Sequence, residues 1–98
     1  MSVENCNEYL KNLEGKIVIF RMQQVYAFGK EPYKDLINIV KEIEIKNIEL
    51  TKDSYLKIND TFVNLTPDVY FIREFNPDEM RFDCDGEKLS LTISFDVN

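Results

Sequence analysis

The 98-residue sequence predicts an α+β, mainly β fold: an N-terminal helix packed on a curled antiparallel meander sheet or partial barrel of about seven strands. Three observations carry this expectation. Helical spacing of apolar residues is confined to residues 2–14. From residue 16 onward, short alternating apolar and polar segments are separated by turn residues. So many consecutive strands in so short a chain require a strongly curled sheet. No linker, repeat or low-complexity tract interrupts the chain, so residues 1–98 read as a single domain, with a helix at about 2–14 and a β meander at about 16–97. An apolar share of 44% is normal for a globular protein.

The helix begins at Ser2, a capping residue, and repeats Val3, Cys6, Tyr9, Leu10 and Leu13 at spacings of three and four. Gly15 stops it. Glu4, Glu8, Lys11 and Asn12 fill the other face, too acidic to favour anionic lipid, so the helix is expected to dock on the sheet. Lys16–Phe28 reads as a long strand whose first half is apolar on both faces. Gly29-Lys30-Glu31-Pro32 reads as a turn. Residues 33–50 fit two readings. Tyr33, Leu36, Ile37 and Val40 share a helical face over 33–41, whereas Ile37, Ile39, Ile43 and Ile45 alternate as a strand. A strand over about 37–50 is preferred, with a bulge near Lys46-Asn47 because Ile48-Glu49-Leu50 alternates out of phase.

Tyr55–Ile58 and Thr61–Leu65 flank the hairpin signal Asn59-Asp60. That loop opposes Leu56 to Val63, Ile58 to Thr61 and Lys57 to Phe62. Asp68–Phe75 follows a break at Thr66-Pro67, and Asn76-Pro77-Asp78 turns the chain again. Glu79–Cys84 and Glu87–Val97 flank Asp85-Gly86, the strongest hairpin signal. A two-residue loop there opposes Phe82 to Leu89 and Met80 to Leu91, with Asp83 opposite Lys88 and Arg81 opposite Ser90. Both faces are self-consistent in that register.

Composition excludes several function classes. The chain has no His, so Ser-His-Asp and Cys-His catalysis and histidine-supported metal sites are absent. Cys6 and Cys84 lie too far apart for a CxxC motif. Asp83-Cys84-Asp85-Gly86 superficially matches a calcium loop, but Arg81 would occupy its first ligand position and Thr92 that of the bidentate glutamate. No metal and no cofactor is expected. Paired-carboxylate catalysis has no sequence signature, so a non-catalytic protein is expected. With a net charge of −6 and no phosphate-cradling glycine loop, direct nucleic-acid binding is disfavoured. Residues 1–15 lack a signal-peptide pattern and no apolar run could span a membrane, so a cytoplasmic protein with reduced thiols is expected. The Asn-x-Thr triplets at Asn59 and Asn64 then carry no glycan. The abundance of Ile, Lys and Asn hints at an AT-rich coding sequence, such as a bacterial or phage one.

The acidity is uneven. Residues 1–50 hold 7 basic and 8 acidic side chains; residues 51–98 hold 5 and 10. Glu74, Asp78, Glu79, Asp83, Asp85 and Glu87 form a candidate surface for a basic protein partner, with Phe62 as a candidate apolar anchor. An inhibitor or neutraliser of a nucleic-acid-acting protein would suit this charge. The bland reading is a solvated sheet face whose charges oppose edge-to-edge aggregation. The alternative function is a curled sheet holding a small anionic ligand on Arg21, Gln23 and Arg73. Tyr26, Tyr33, Tyr55 and Tyr70 read as half-buried packing rather than as a ligand stack. A homodimer through the long strand near 37–50 is a further option.

Overall fold

The structure, a computed structural model, describes residues 2–26, 35–65, 71–86 and 89–97, except for the side chains of Tyr26, Asp35, Leu36, Phe71 and Arg73. The turn expected at 29–32, the break at Thr66-Pro67, and Tyr33, Tyr70, Glu87 and Lys88 lie outside these residues. Helix α1 spans Val3–Leu10 and tightens into a 3-10 turn over Lys11–Leu13. Ser2 caps it, its hydroxyl oxygen accepting from the Asn5 amide at 3.2 Å. Cys6, Leu10 and Leu13 are buried. Gly15 follows at φ +83°, a left-handed conformation that a residue with a side chain adopts at a cost.

Among the described residues eight strands follow: β1 (Ile17–Tyr26), β2 (Asp35–Glu44), β3 (Ile48–Leu50), β4 (Tyr55–Ile58), β5 (Thr61–Asn64), β6 (Phe71–Asn76), β7 (Arg81–Asp85) and β8 (Leu89–Val97). They form a five-stranded antiparallel sheet in the order β2-β1-β8-β7-β6 and a three-stranded antiparallel sheet in the order β3-β4-β5. The barrel does not close. The α+β, mainly β expectation holds, with the first and last strands meeting side by side in the larger sheet.

One hydrophobic cluster draws on α1 and on both sheets, including Leu10, Val18, Ile45, Leu56, Phe82, Ile93 and Phe95. Phe75 packs against Phe82 with tilted rings whose centroids are 4.7 Å apart, and Phe20 meets Phe95 at 5.5 Å. Each such buried side chain contributes about 1.5–3 kcal/mol, so the cluster supplies the main driving force.

Three expectations are corrected. The segment 37–50 is not one bulged strand but two strands in different sheets. The phase flip that signalled a bulge marks a corner, and Asn59 holds it. Its Oδ1 accepts from the Lys46 and Asn47 amides at 2.7 and 3.2 Å, and its Nδ2 donates to the Glu44 carbonyl at 3.0 Å. The β7–β8 hairpin is slipped by four residues: Phe82 faces Ile93, Cys84 faces Leu91, Asp83 faces Thr92 and Arg81 faces Ser94. An even slip keeps every side chain on its face, so local alternation cannot detect it. The β1–β8 ladder, from Val18–Val97 to Tyr26–Leu89, positions β8 from its other side and overrides the local turn preference. Asp85 lies in β7 opposite Ser90, and the Gly86 amide donates to the Leu89 carbonyl at 2.8 Å, so the pairing runs on past Asp85. Finally, the β6–β7 register shifts between Ile72 and Glu74, an irregularity at Arg73 that regular strand alternation does not anticipate. The Asn59-Asp60 hairpin keeps its expected register, with Lys57 opposite Phe62.

Candidate functional site

A concavity of about 610 Å³ lies at the end of the five-stranded sheet. The turn after β6, the end of β8, Leu13 and Lys16 bound it. Asn76 organises the turn: its Oδ1 accepts from the Asp78 and Glu79 amides at 3.0 and 3.3 Å. This is the side-chain mimic of a backbone turn that Asn favours. Met80 then takes φ +46°, and its carbonyl accepts from the Phe95 amide at 3.1 Å. The turn is thereby tied to β8, and its carboxylates are presented at the groove's rim.

Arg81 is the hub of this rim. Its Nη1 pairs with Glu79 and its Nε lies 3.2 Å from Asp83 Oδ2. Glu74 stands opposite Asp83 across β6–β7. The Asp83 charge, then Glu79 and Glu74, raise the Arg81 pKa above its ordinary value, with partial desolvation opposing them. Two carboxylates therefore pair with one guanidinium, and Glu74 adds its charge from the neighbouring strand. Glu74 and Asp78 are exposed and make no ion pair among the described residues.

The expected acidic residues separate into distinct environments. Glu74, Asp78, Glu79 and Asp83 gather around the 76–80 turn. Asp83 is only 9% exposed and also receives the Thr92 hydroxyl at 3.5 Å, so it anchors Arg81 and does not face water. Asp85 lies further along β7 and accepts from the Ser90 hydroxyl at 3.3 Å. Glu87 lies outside the described residues. Phe62, 60% exposed, sits on the three-stranded sheet, edge-on to Tyr55 with Lys57 Nζ 5.8 Å from its ring centroid. The structure does not place it on the sheet that carries the acids.

The residues expected to hold an anion are arranged differently. Arg21 and Gln23 are exposed on the outer face of β1, beside a depression of about 210 Å³ shared with Asn38, Thr92 and Ser94. Arg21 Nε donates to Asp96 Oδ2 at 3.0 Å, so its charge is already matched. The backbone of Arg73 is three strands away, about 14 Å at ~4.8 Å per strand, and its side chain lies outside the described residues.

Arg81 and Asn76 are the site residues that the sequence reading left out. Period-2 spacing puts Arg81 and Asp83 on one strand face, and that signal was available. Burial pushes the Cys84 thiol up to about 12, aided by the Asp83 and Asp85 charges, and burial also raises Cys6. Neither thiol has the lowered pKa of an activated nucleophile. Among the described residues, no group of three or more His, Cys, Asp or Glu side chains is placed to hold a metal ion, and no helix is long and apolar enough to cross a membrane. No protein-family model matches the chain, and neither does any curated protein or solved structure, so the functional reading rests on the chemistry of the site.

Proposed function

We propose that this protein is a non-catalytic interaction module whose acidic groove at the 76–80 turn takes a basic segment of a protein partner. Partners whose basic segments otherwise contact nucleic acid fit best, and binding here would mask that segment. The observation that carries the reading is the excess of carboxylate around Arg81, beside a groove with Leu13 and Phe95 in its lining. Arg81 preorganises Glu79 and Asp83, while Glu74 and Asp78 face water. Such a rim speeds encounter with a cationic segment and rejects acidic ones. Exposed ion pairs contribute only about 0.2–1 kcal/mol each, so affinity would come from several contacts together with the apolar lining. A cytoplasmic setting, with reduced thiols, belongs to this reading.

Calorimetric titration with an arginine-rich peptide at low and moderate salt tests it. Binding should weaken with salt, and E74Q/D78N should weaken it about 2- to 30-fold, the equivalent of two exposed contacts. Binding indifferent to salt, or unchanged in the double variant, would overturn the reading.

A further inference from the structure

The two sheets have four outer strands, and three are closed to further pairing. β3 is three residues long, and the Asn7 side chain occupies its edge: Oδ1 accepts from the Leu50 amide at 2.7 Å and Nδ2 donates to the Leu50 carbonyl at 2.9 Å. β5 is four residues long. β6 carries a bulge and the charged Glu74. These are the recognised means of blunting an edge. β2 is ten residues long, pairs with β1 on one side and, among the described residues, is outermost on the other. Ile37 and Ile39 are 38% and 39% exposed, and Val40 is 57% exposed. A register shift at Gln24/Val25 limits its regular stretch to Ile37–Glu44.

We infer that β2 is a self-association edge, pairing antiparallel with β2 of a second copy about a two-fold axis at Val40. A continuous ten-stranded sheet would result. Charge distribution along the strand selects this occupant. Ile37–Val40 is uncharged, and Lys41, Glu42 and Glu44 all lie in the other half. Antiparallel pairing centred on Val40 sets Val40 against Val40, Ile37 against Ile43, Ile39 against Lys41 and Asn38 against Glu42. No like charges are then directly opposed; axes at Ile39 or Asn38 avoid them too but pair only five or three residues of the Ile37–Glu44 stretch, against seven at Val40. Parallel pairing opposes every charge to itself. A two-fold at Lys41 or Glu42 opposes that charge to its copy, and one at Ile43 opposes Glu42 to Glu44, each destabilising. The even offset between paired residues also keeps the core face of both copies on the same side of the sheet.

Sedimentation equilibrium from 1 to 200 µM tests the inference. The wild-type chain should dimerise in that range, more tightly as salt screens the two charges of −6, the opposite of the salt response of basic-peptide binding at the groove. V40K opposes two cations at the axis and should weaken dimerisation at least 10-fold while the circular dichroism spectrum stays that of the wild type. I17K, at a 51% exposed apolar position on β1, should leave it unchanged. A monomer at 200 µM, or a dimer as tight in V40K as in I17K, would overturn the inference.

Discussion

Asn7→Ala is the sharpest test of how the helix is joined to the smaller sheet. Asn7 makes two hydrogen bonds to one residue, 2.7 Å from the Leu50 amide and 2.9 Å to the Leu50 carbonyl, both partly buried. A hydrogen bond contributes about 0.5–1.5 kcal/mol net, and more is lost when the abandoned partner stays buried. The pair therefore stabilises by about 2–3 kcal/mol. Ala restores roughly 0.5 kcal/mol through its higher helix propensity, leaving a net cost of about 1.5–2.5 kcal/mol. With a urea m-value of about 1 kcal/mol/M, near the lower end for small proteins, the midpoint should fall by about 1.5–2.5 M. Asn7→Asp should be worse than Ala, because it keeps the acceptor for the Leu50 amide but sets a carboxylate oxygen against the Leu50 carbonyl. Asn5→Ala, on the exposed face of the same helix, should be neutral or slightly stabilising. An Asn7→Ala midpoint equal to that of Asn5→Ala would refute the reasoning.

Asn59 should show a graded response in the same assay. Its side chain makes three hydrogen bonds and its backbone sits at φ +53°, so N59A should cost about 2–4 kcal/mol and N59G less, since Gly adopts that conformation freely. Cys84, pushed up to about 12, should be about 1 in 10,000 thiolate at pH 8, so aromatic disulfide reagents should label it only through unfolding. Because its folded pKa lies above its unfolded value near 9, folding protects the neutral thiol. Its contribution is full below pH 9 and is lost as pH rises towards 12, at about 1.4 kcal/mol per pH unit. A stability–pH series should therefore fall more steeply for wild type than for C84A over that window. R81M leaves the 9% exposed Asp83 without its cationic partner, so it should lower the urea midpoint at pH 7 relative to wild type.

Local features of this fold are legible in its sequence and non-local ones are not. The capped helix ending at Gly15 and the Asn59-Asp60 register both follow from neighbouring residues. The Asp85-Gly86 turn was misplaced because β1, some seventy residues away in the chain, sets the position of β8. The corner at 45–47 was visible as a phase flip, but the side chain that makes it a change of sheet, Asn59, comes from a later hairpin. Asn7 likewise looks like any polar residue on an exposed helix face until Leu50 is placed beside it. At the candidate site the concentration of carboxylates was visible. Their sorting was not: Asp83 is covered on the outer face where it holds Arg81, and Glu74 and Asp78 stay in water. Phe62 read as an anchor for that surface because the sequence does not show that the chain divides into two sheets.

The most direct test of the acidic groove as a binding site is a backbone-amide NMR titration with an arginine-rich peptide. Shift changes should concentrate at residues 74–83 and 94–97 and collapse when salt is raised from 50 to 300 mM, as Debye screening shortens from about 14 to about 6 Å. Shifts centred instead on Tyr55–Phe62, or a perturbation that persists unchanged at high salt, would contradict it.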